Sequence, residues 1–201
     1  MKDLVQRQLR QTLALLEAVT HDTAMHSTLV EVATITADTM KQGGKLLVAG
    51  NGGSAADSQH LVAEFVSRLT VNRPALRAVA LTTDSSILTA VGNDYGYEHV
   101  FERQIEAIGA PKDVFLAIST SGNSPNLLCA LRRAREDGLV TFGLTGAGGG
   151  EMAQHCDYLI MIPSQTTMNI QECHLVLEHI FCMVVERVYF GEDFDRPVSH
   201  A

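Results

Sequence analysis

From Lys45 onward the chain repeats one pattern: a short aliphatic run, a turn rich in glycine or hydroxyl residues, then a stretch with helical periodicity. The runs are Leu46–Ala49, Ala78–Leu81, Val114–Ile118, Thr141–Leu144 and Tyr158–Ile162. Each is short and largely aliphatic, as a strand buried on both faces must be. Helical patterns cover 54–69, 85–92, 98–108, 124–137 and 150–155, and a long amphipathic stretch follows over 170–189. Strands alternating with helices pair in parallel through right-handed crossovers. The predicted class is therefore α/β with a parallel sheet.

Two helical stretches precede this core. Residues 3–19 place Leu4, Val5, Leu9, Leu13, Leu16 and Val19 on one stripe, and 27–41 repeat the spacing with Leu29, Val32, Ile35 and Met40. Gly43-Gly44 stops the second. The expected organisation is one domain over 1–201, with an N-terminal helical hairpin over 1–42 and a sheet-and-helix core over 45–190. A length of 201 residues fits that reading.

Composition narrows the function classes. Fifteen Lys and Arg against 23 Asp and Glu leave a formal charge of −8, a poor match to a nucleic-acid backbone. A small anionic ligand is still allowed, because a local site overrides net charge. No apolar run approaches the ~20 residues that span a bilayer, and charges interrupt the N-terminus where a signal peptide needs an apolar centre. Cys129, Cys156, Cys173 and Cys182 show no CxxC spacing and read as reduced, buried thiols of a cytoplasmic protein.

Ligands of open parallel sheets bind beyond the carboxyl ends of the strands. Beyond the third run lies Ser119-Thr120-Ser121-Gly122-Asn123-Ser124, opening a helix at Pro125. Four hydroxyls and free N–H groups converging on a helix N-terminus exceed what capping needs and form a phosphate cradle. Gly50-Asn51-Gly52-Gly53-Ser54 follows the first run. It is neither a Walker loop nor a dinucleotide fingerprint. Its glycines admit a ligand close to the backbone, and Asn51 and Ser54 offer bonds to hydroxyls. The run Gly146–Gly150 reads as a flexible turn.

The next helical stretch carries His60, Glu64 and Arg68 at four-residue spacing, one face of a helix. Near the C-terminus Gln171 and His179 share another face, with His174 and Glu178 on a second. Apolar neighbours crowd both helices, and buried His and Glu need partners. The expectation is that Gln171 and His179 meet His60 and Glu64. Two imidazoles, a carboxylate and an amide oxygen make a four-ligand zinc set. The same groups equally suit acid–base work near neutrality. Asn93 and Asp94 either bond sugar hydroxyls or shape a turn. His21, His26, His99, His155 and His200 have no such setting and read as incidental.

The ordered set Asn51-Gly52-Gly53-Ser54, His60xxxGlu64xxxArg68, Gly92-Asn93-Asp94-Tyr95-Gly96, Ser119–Ser124 and Ile170-Gln171-Glu172…His179 resembles the sugar isomerase (SIS) domain proteins, and among them the phosphoheptose isomerase family. The resemblance covers nearly the whole chain. It implies a five-stranded parallel sheet flanked by helices, in a homotetramer with active sites between subunits. It implies a ketose–aldose isomerase that converts D-sedoheptulose 7-phosphate to D-glycero-D-manno-heptose 7-phosphate, the first step toward nucleotide-activated heptose for lipopolysaccharide or related glycans. It implies zinc on His60, Glu64, Gln171 and His179, and no nucleotide or redox cofactor. Implied substrate contacts fall on Asn51, Gly52, Gly53, Glu64, Asn93, Asp94, Ser119, Thr120, Ser121, Ser124 and Gln171, to which the residues themselves add Ser54 and Arg68. Glu64 and His179 are the implied proton-transfer pair. Some members carry an Asp three residues before the motif Gln; this chain has Met168, so a role for that Asp does not carry over. Two alternatives retain the fold without turnover: an SIS adaptor that binds the replication initiator DnaA, and a sugar-phosphate sensor. Both are disfavoured by the presence of Glu64 and His179.

Overall fold

The computed structural model describes residues 1–191; His200 lies outside them. Two helices, α1 (Lys2–His21) and α2 (Thr23–Lys41), lead into β1 (Leu46–Gly50) and α3 (Gly53–Val66). Next come β2 (Ala78–Ala80), α4 (Ser85–Asp94), a 3-10 turn at Tyr97–His99 and α5 (Glu102–Ile108). The chain continues through β3 (Val114–Ser119), α6 (Pro125–Glu136), β4 (Val140–Thr145), a 3-10 turn at Gly150–Gln154, β5 (Tyr158–Met161) and α7 (Thr167–Phe190). α2 starts four residues before the predicted 27, because the Asp22 carboxylate caps it by accepting the Met25 N–H at 2.9 Å. The predicted helix over 98–108 is divided between the 3-10 turn and α5, and the segment over 150–155 is 3-10 rather than α.

The sheet has five parallel strands in the order β2-β1-β3-β4-β5. Strand addition reverses between β1 and β3, which leaves a crevice at their carboxyl ends. The register pairs Gly50 with Ile118, so the loop after β1 and the loop after β3 leave the sheet side by side.

Alternate strand residues feed two cores. Leu46, Val48, Leu116 and Ile118 pack with Val32, Leu61, Phe65, Cys173, Leu177 and Phe181 of α2, α3 and α7. Leu47, Ala49, Phe115 and Ala117 pack with Ile105, Leu127 and Leu131 of α5 and α6. The Phe181 ring bridges Phe65 and Phe142, with centroids 5.9 and 5.7 Å away. α1 is the exception: its only buried residue is Val19, while Leu9 and Leu13 are 66% and 67% exposed. The apolar stripe read from the sequence is there: Val19 and Leu16 at its C-terminal end pack on the core, while among the described residues Leu4, Val5, Leu9 and Leu13 stay exposed. No helix among the described residues is long and apolar enough to cross a membrane.

Candidate active site

α3 and α7 run side by side in the same direction, because their apolar faces share the core that holds Leu61, Phe65, Leu177 and Phe181. Their polar edges then meet. His60 Nε2 lies 2.8 Å from His179 Nε2, with the rings edge to face at 5.1 Å. Glu64, one turn further along α3, brings Oε1 to 3.6 Å from His60 Nε2. Donor atoms of all three residues fall within 4.8 Å of one another. Two imidazole nitrogens at this distance share either a proton or a cation.

Gln171 occupies the other end of the same groove. Eight residues separate it from His179, about 12 Å along a helix. Its amide lies over the start of α3, where a Cβ on Gly53 would sit 2.4 Å from Nε2. A side chain at 53 would therefore push the Gln171 amide off the start of α3. Of the expected ligand set, three residues are clustered and the Gln171 amide rests against Gly53.

Arg68 does not continue the His60–Glu64 face, because α3 ends at Val66. The reason is Arg73, which the sequence reading missed. Its guanidinium donates to the carbonyls of Glu64 (2.6 Å) and Phe65 (2.8 Å), which a longer helix would have used itself. Arg73 is held in turn by Glu186 of α7 at 2.6 Å, a buried ion pair. The pair anchors the backbone of Glu64 against α7. Arg68 is exposed beyond the helix end.

The loop after β3 folds as an anion cradle would. Ser119 Oγ lies 3.0 Å from Ser124 Oγ and 3.4 Å from Ser121 Oγ. The Gly122 N–H donates to Ser119 Oγ and the Asn123 N–H to Ser121 Oγ. Ser124 is the N-cap of α6, and its hydroxyl makes no cap bond to the first turn. Pro125 has no N–H, and the Leu127 and Leu128 N–H groups donate to Ser124 O, so the Asn126 N–H is the first-turn donor left to an anion. Thr120 links this loop to the next through its carbonyl, which accepts the Gly146 N–H. The glycine run after β4, expected to be a flexible turn, is a buttress: a Cβ on Gly122 would lie 2.0 Å from Gly149 O, and one on Gly150 2.6 Å from the Gly122 backbone.

The loop after β1 is tied to the same helix end. Asn51 and buried Asn126 exchange two amide bonds, and the Tyr97 hydroxyl donates to Asn51 Oδ1 at 3.2 Å. Gly52 adopts φ 58° with open space above it. Ser54 is only 3% exposed and sits beneath Gly50, away from the open side of the loop. Asn93 and Asp94 bond to each other at the exposed end of α4. No hydrogen bond among the described residues joins them to the His60 cluster.

Residues 9–146 match the SIS domain family model. The phosphoheptose isomerase of Aneurinibacillus thermoaerophilus is 49% identical over 96% of this chain and 98% of its own. That of Burkholderia pseudomallei is 54% identical over 87% and 89%. The chain belongs to the SIS-domain phosphoheptose isomerase family. Among solved structures, the phosphoheptose isomerase GmhA of Neisseria gonorrhoeae superposes with a TM-score of 0.86 at 38% identity, covering 92% of this chain and 98% of that one. The Francisella tularensis enzyme gives 0.88 at 31% identity, covering 92% and 97%.

This phosphoheptose isomerase fold also buries polar groups behind the groove. His174 Nε2 bonds Thr145 O at 3.2 Å, and no side chain among the described residues bonds the ring. Burial pulls its pKa down to about 4, against a smaller upward pull from that bond. Burial pushes the Glu178 carboxyl up to about 8, with the Asp57 carboxylate adding to it. Asp57 is itself raised by burial, and His60 opposes the rise. His174 Nδ1, Asp57 Oδ2 and both Glu178 oxygens are enclosed without a hydrogen-bonding partner among the described residues.

Proposed function

We propose that this chain is a ketose–aldose isomerase that interconverts D-sedoheptulose 7-phosphate and D-glycero-D-manno-heptose 7-phosphate. The observation that carries the reading is the meeting of His60, Glu64 and His179, distant in sequence, in a chain half identical to phosphoheptose isomerases.

In this reading the phosphate binds the hydroxyls of Ser119, Thr120, Ser121 and Ser124 and the Asn126 N–H at the opening of α6. Binding energy from that unreacting end fixes the carbonyl end. Asn51, Gly52, Gly53, Asn93, Asp94 and Gln171 are the proposed contacts to the sugar. Glu64 takes a proton from C1 of the ketose, and the C–H electron pair forms a C1–C2 double bond. Protonated His179 gives its proton to O2, leaving a cis-enediol. His179 then takes the O1 proton, and Glu64 delivers its proton to C2, giving the aldose. Hydrogen and electrons are conserved within the sugar, so the reaction calls for no nucleotide or redox cofactor.

The donor set also fits zinc: two imidazole nitrogens and a carboxylate oxygen lie close together, and the His60 side chain is 46% exposed, so the cluster faces solvent. His60, Glu64 and His179 would hold it, with Gln171 as the proposed fourth ligand. When bound, zinc supplies Lewis-acid polarisation of the carbonyl and steadies charge on oxygen.

The same proposal includes a cytoplasmic homotetramer with active sites at subunit interfaces, acting without nucleic acid or membrane. The uncovered Leu4, Val5, Leu9 and Leu13 of α1 support association. A light-scattering mass of one protomer for the native chain, equal to that of a Leu9→Glu, Leu13→Glu variant, would dismiss the tetramer. The activity is tested by an NMR time course with sedoheptulose 7-phosphate in deuterated water, with and without zinc. Aldose signals and deuterium entering at C1 or C2 are expected. No turnover under either condition would overturn the reading.

A further inference from the structure

We infer that His99, Glu102 and Cys129 form a second cation site, one that takes a borderline divalent ion such as zinc through a thiolate. It does not rest on the isomerase reading and shares no residue with the groove between α3 and α7.

The three side chains come from two segments. His99 ends the 3-10 turn before α5, Glu102 opens α5, and Cys129 lies in the second turn of α6. Their donor atoms lie within 4.8 Å of one another. Two ligands on one tetrahedral zinc ion, with bonds of 2.0–2.3 Å, lie about 3.3–3.8 Å apart, up to an ångström or so closer than the outer limit here. Small side-chain rotations therefore bring all three onto one ion. His99 Nδ1 already touches Glu102 Oε2, which orients the pair toward α6.

The donor chemistry selects the ion. One nitrogen, one carboxylate oxygen and one sulfur suit zinc or cobalt and disfavour magnesium and calcium, which take oxygen ligands. Three protein ligands leave a position for water, and the site faces solvent: the His99 and Glu102 side chains are 38% and 30% exposed. Surrounding charge is mixed in a useful way. Burial holds the Cys129 thiol above its usual range and Glu102 and Glu98 add to that, against the Arg132 guanidinium, which donates to Cys129 Sγ at 3.2 Å; the thiol therefore gives up its proton to the entering ion, which the two carboxylates attract. The alternative is a solvated His–Glu ion pair beside a thiol that serves only Arg132. The two differ in whether sulfur binds metal.

The position gives the site a consequence. Cys129 follows the serine loop on α6, and His99 follows Tyr97, which bonds Asn51. An ion here ties the helix bearing the phosphate cradle to the segment that supports the loop after β1.

Cobalt(II) reports the sulfur directly, because a thiolate ligand adds a near-ultraviolet charge-transfer band and the His60 cluster contains no sulfur. Chelator-stripped full-length protein is titrated with Co²⁺ as the native chain and as His60→Ala, Cys129→Ser and His99→Ala variants. The expected band saturates at one equivalent per protomer, survives His60→Ala, and disappears in Cys129→Ser. In His99→Ala its affinity falls at least tenfold. Zinc should also raise the melting temperature of His60→Ala but not of His60→Ala with Cys129→Ser. Absence of the band from the native chain, its survival in Cys129→Ser, or unchanged affinity in His99→Ala would each overturn the site. The native-chain result stands even where a variant fails to fold.

Discussion

Asn51 and Asn126 exchange two side-chain amide bonds of 2.9 and 2.8 Å across the crevice between β1 and β3. The pairing makes the loop after β1 and the N-terminus of α6 one unit. It also occupies the Asn51 oxygen, which Tyr97 shares, and leaves the second Asn51 amide N–H to the sugar. Replacing Asn126 with Leu leaves the Asn51 amide N–H₂ without its partner. Asn51 is half-buried, so the loss falls at the low end of the about 1–3 kcal/mol that an abandoned buried polar group costs. The expected result is a lower denaturation midpoint and a KM for sugar phosphate that rises more than kcat falls. A variant with native midpoint and KM would mean the pair does not position the loops.

Glu64 and His179 are assigned the two proton transfers, and each has a neutral replacement of similar size. Glu64→Gln and His179→Gln should each lower kcat by roughly 10²–10⁴-fold, the range removed with a general acid or base. Their circular dichroism and melting curves should remain native. Near-normal turnover in either variant removes that residue from the mechanism.

The pattern of strands and helices was legible because buried parallel strands are apolar runs and their turns are glycine- and hydroxyl-rich. The pairing of α3 with α7 was legible for a similar reason: His60, Glu64 and His179 are polar residues in otherwise apolar helices. What stayed hidden was long-range and local at once. Nothing in the spacing marks Arg73 as the residue that ends α3, because its partners Glu64, Phe65 and Glu186 are brought to it only by folding. Asn126 leaves a faint trace, a polar side chain on the buried side of α6. The glycines 149 and 150 looked like freedom and are in fact a contact surface for Gly122.

Arg73 and Glu186 are both enclosed, with nitrogen and oxygen 2.6 Å apart. Removing one partner strands the other charge, which costs about 3–5 kcal/mol. Arg73→Met alone, or Glu186→Leu alone, should therefore destabilise strongly. The double variant should recover much of that loss, since two apolar side chains leave no unpaired charge. Urea midpoints for the four proteins complete the cycle. Arg73→Met should also lower kcat, because Glu64 loses its backbone anchor, and the double variant should not restore kcat along with stability. Simple additivity of the two single losses would contradict the pairing.

His174 makes stability fall in acid. Its folded pKa of about 4 lies below the ordinary 6.5, chiefly because burial excludes the charged ring. Above pH 6.5 the ring is neutral in both folded and unfolded chains, and its contribution to stability is fully present. As pH drops from 6.5 toward 4, the unfolded chain takes up a proton that the folded chain refuses. Stability then declines by about 1.4 kcal/mol per pH unit at most, reaching roughly 3 kcal/mol in total. His174→Gln cannot titrate, yet its amide can still donate to Thr145 O. Denaturant unfolding followed from pH 7.5 to 4.5 should show a shallower acid slope in His174→Gln than in the native chain. Parallel slopes would mean that His174 is charged in the folded protein, or that the acid loss arises at other carboxylates and imidazoles.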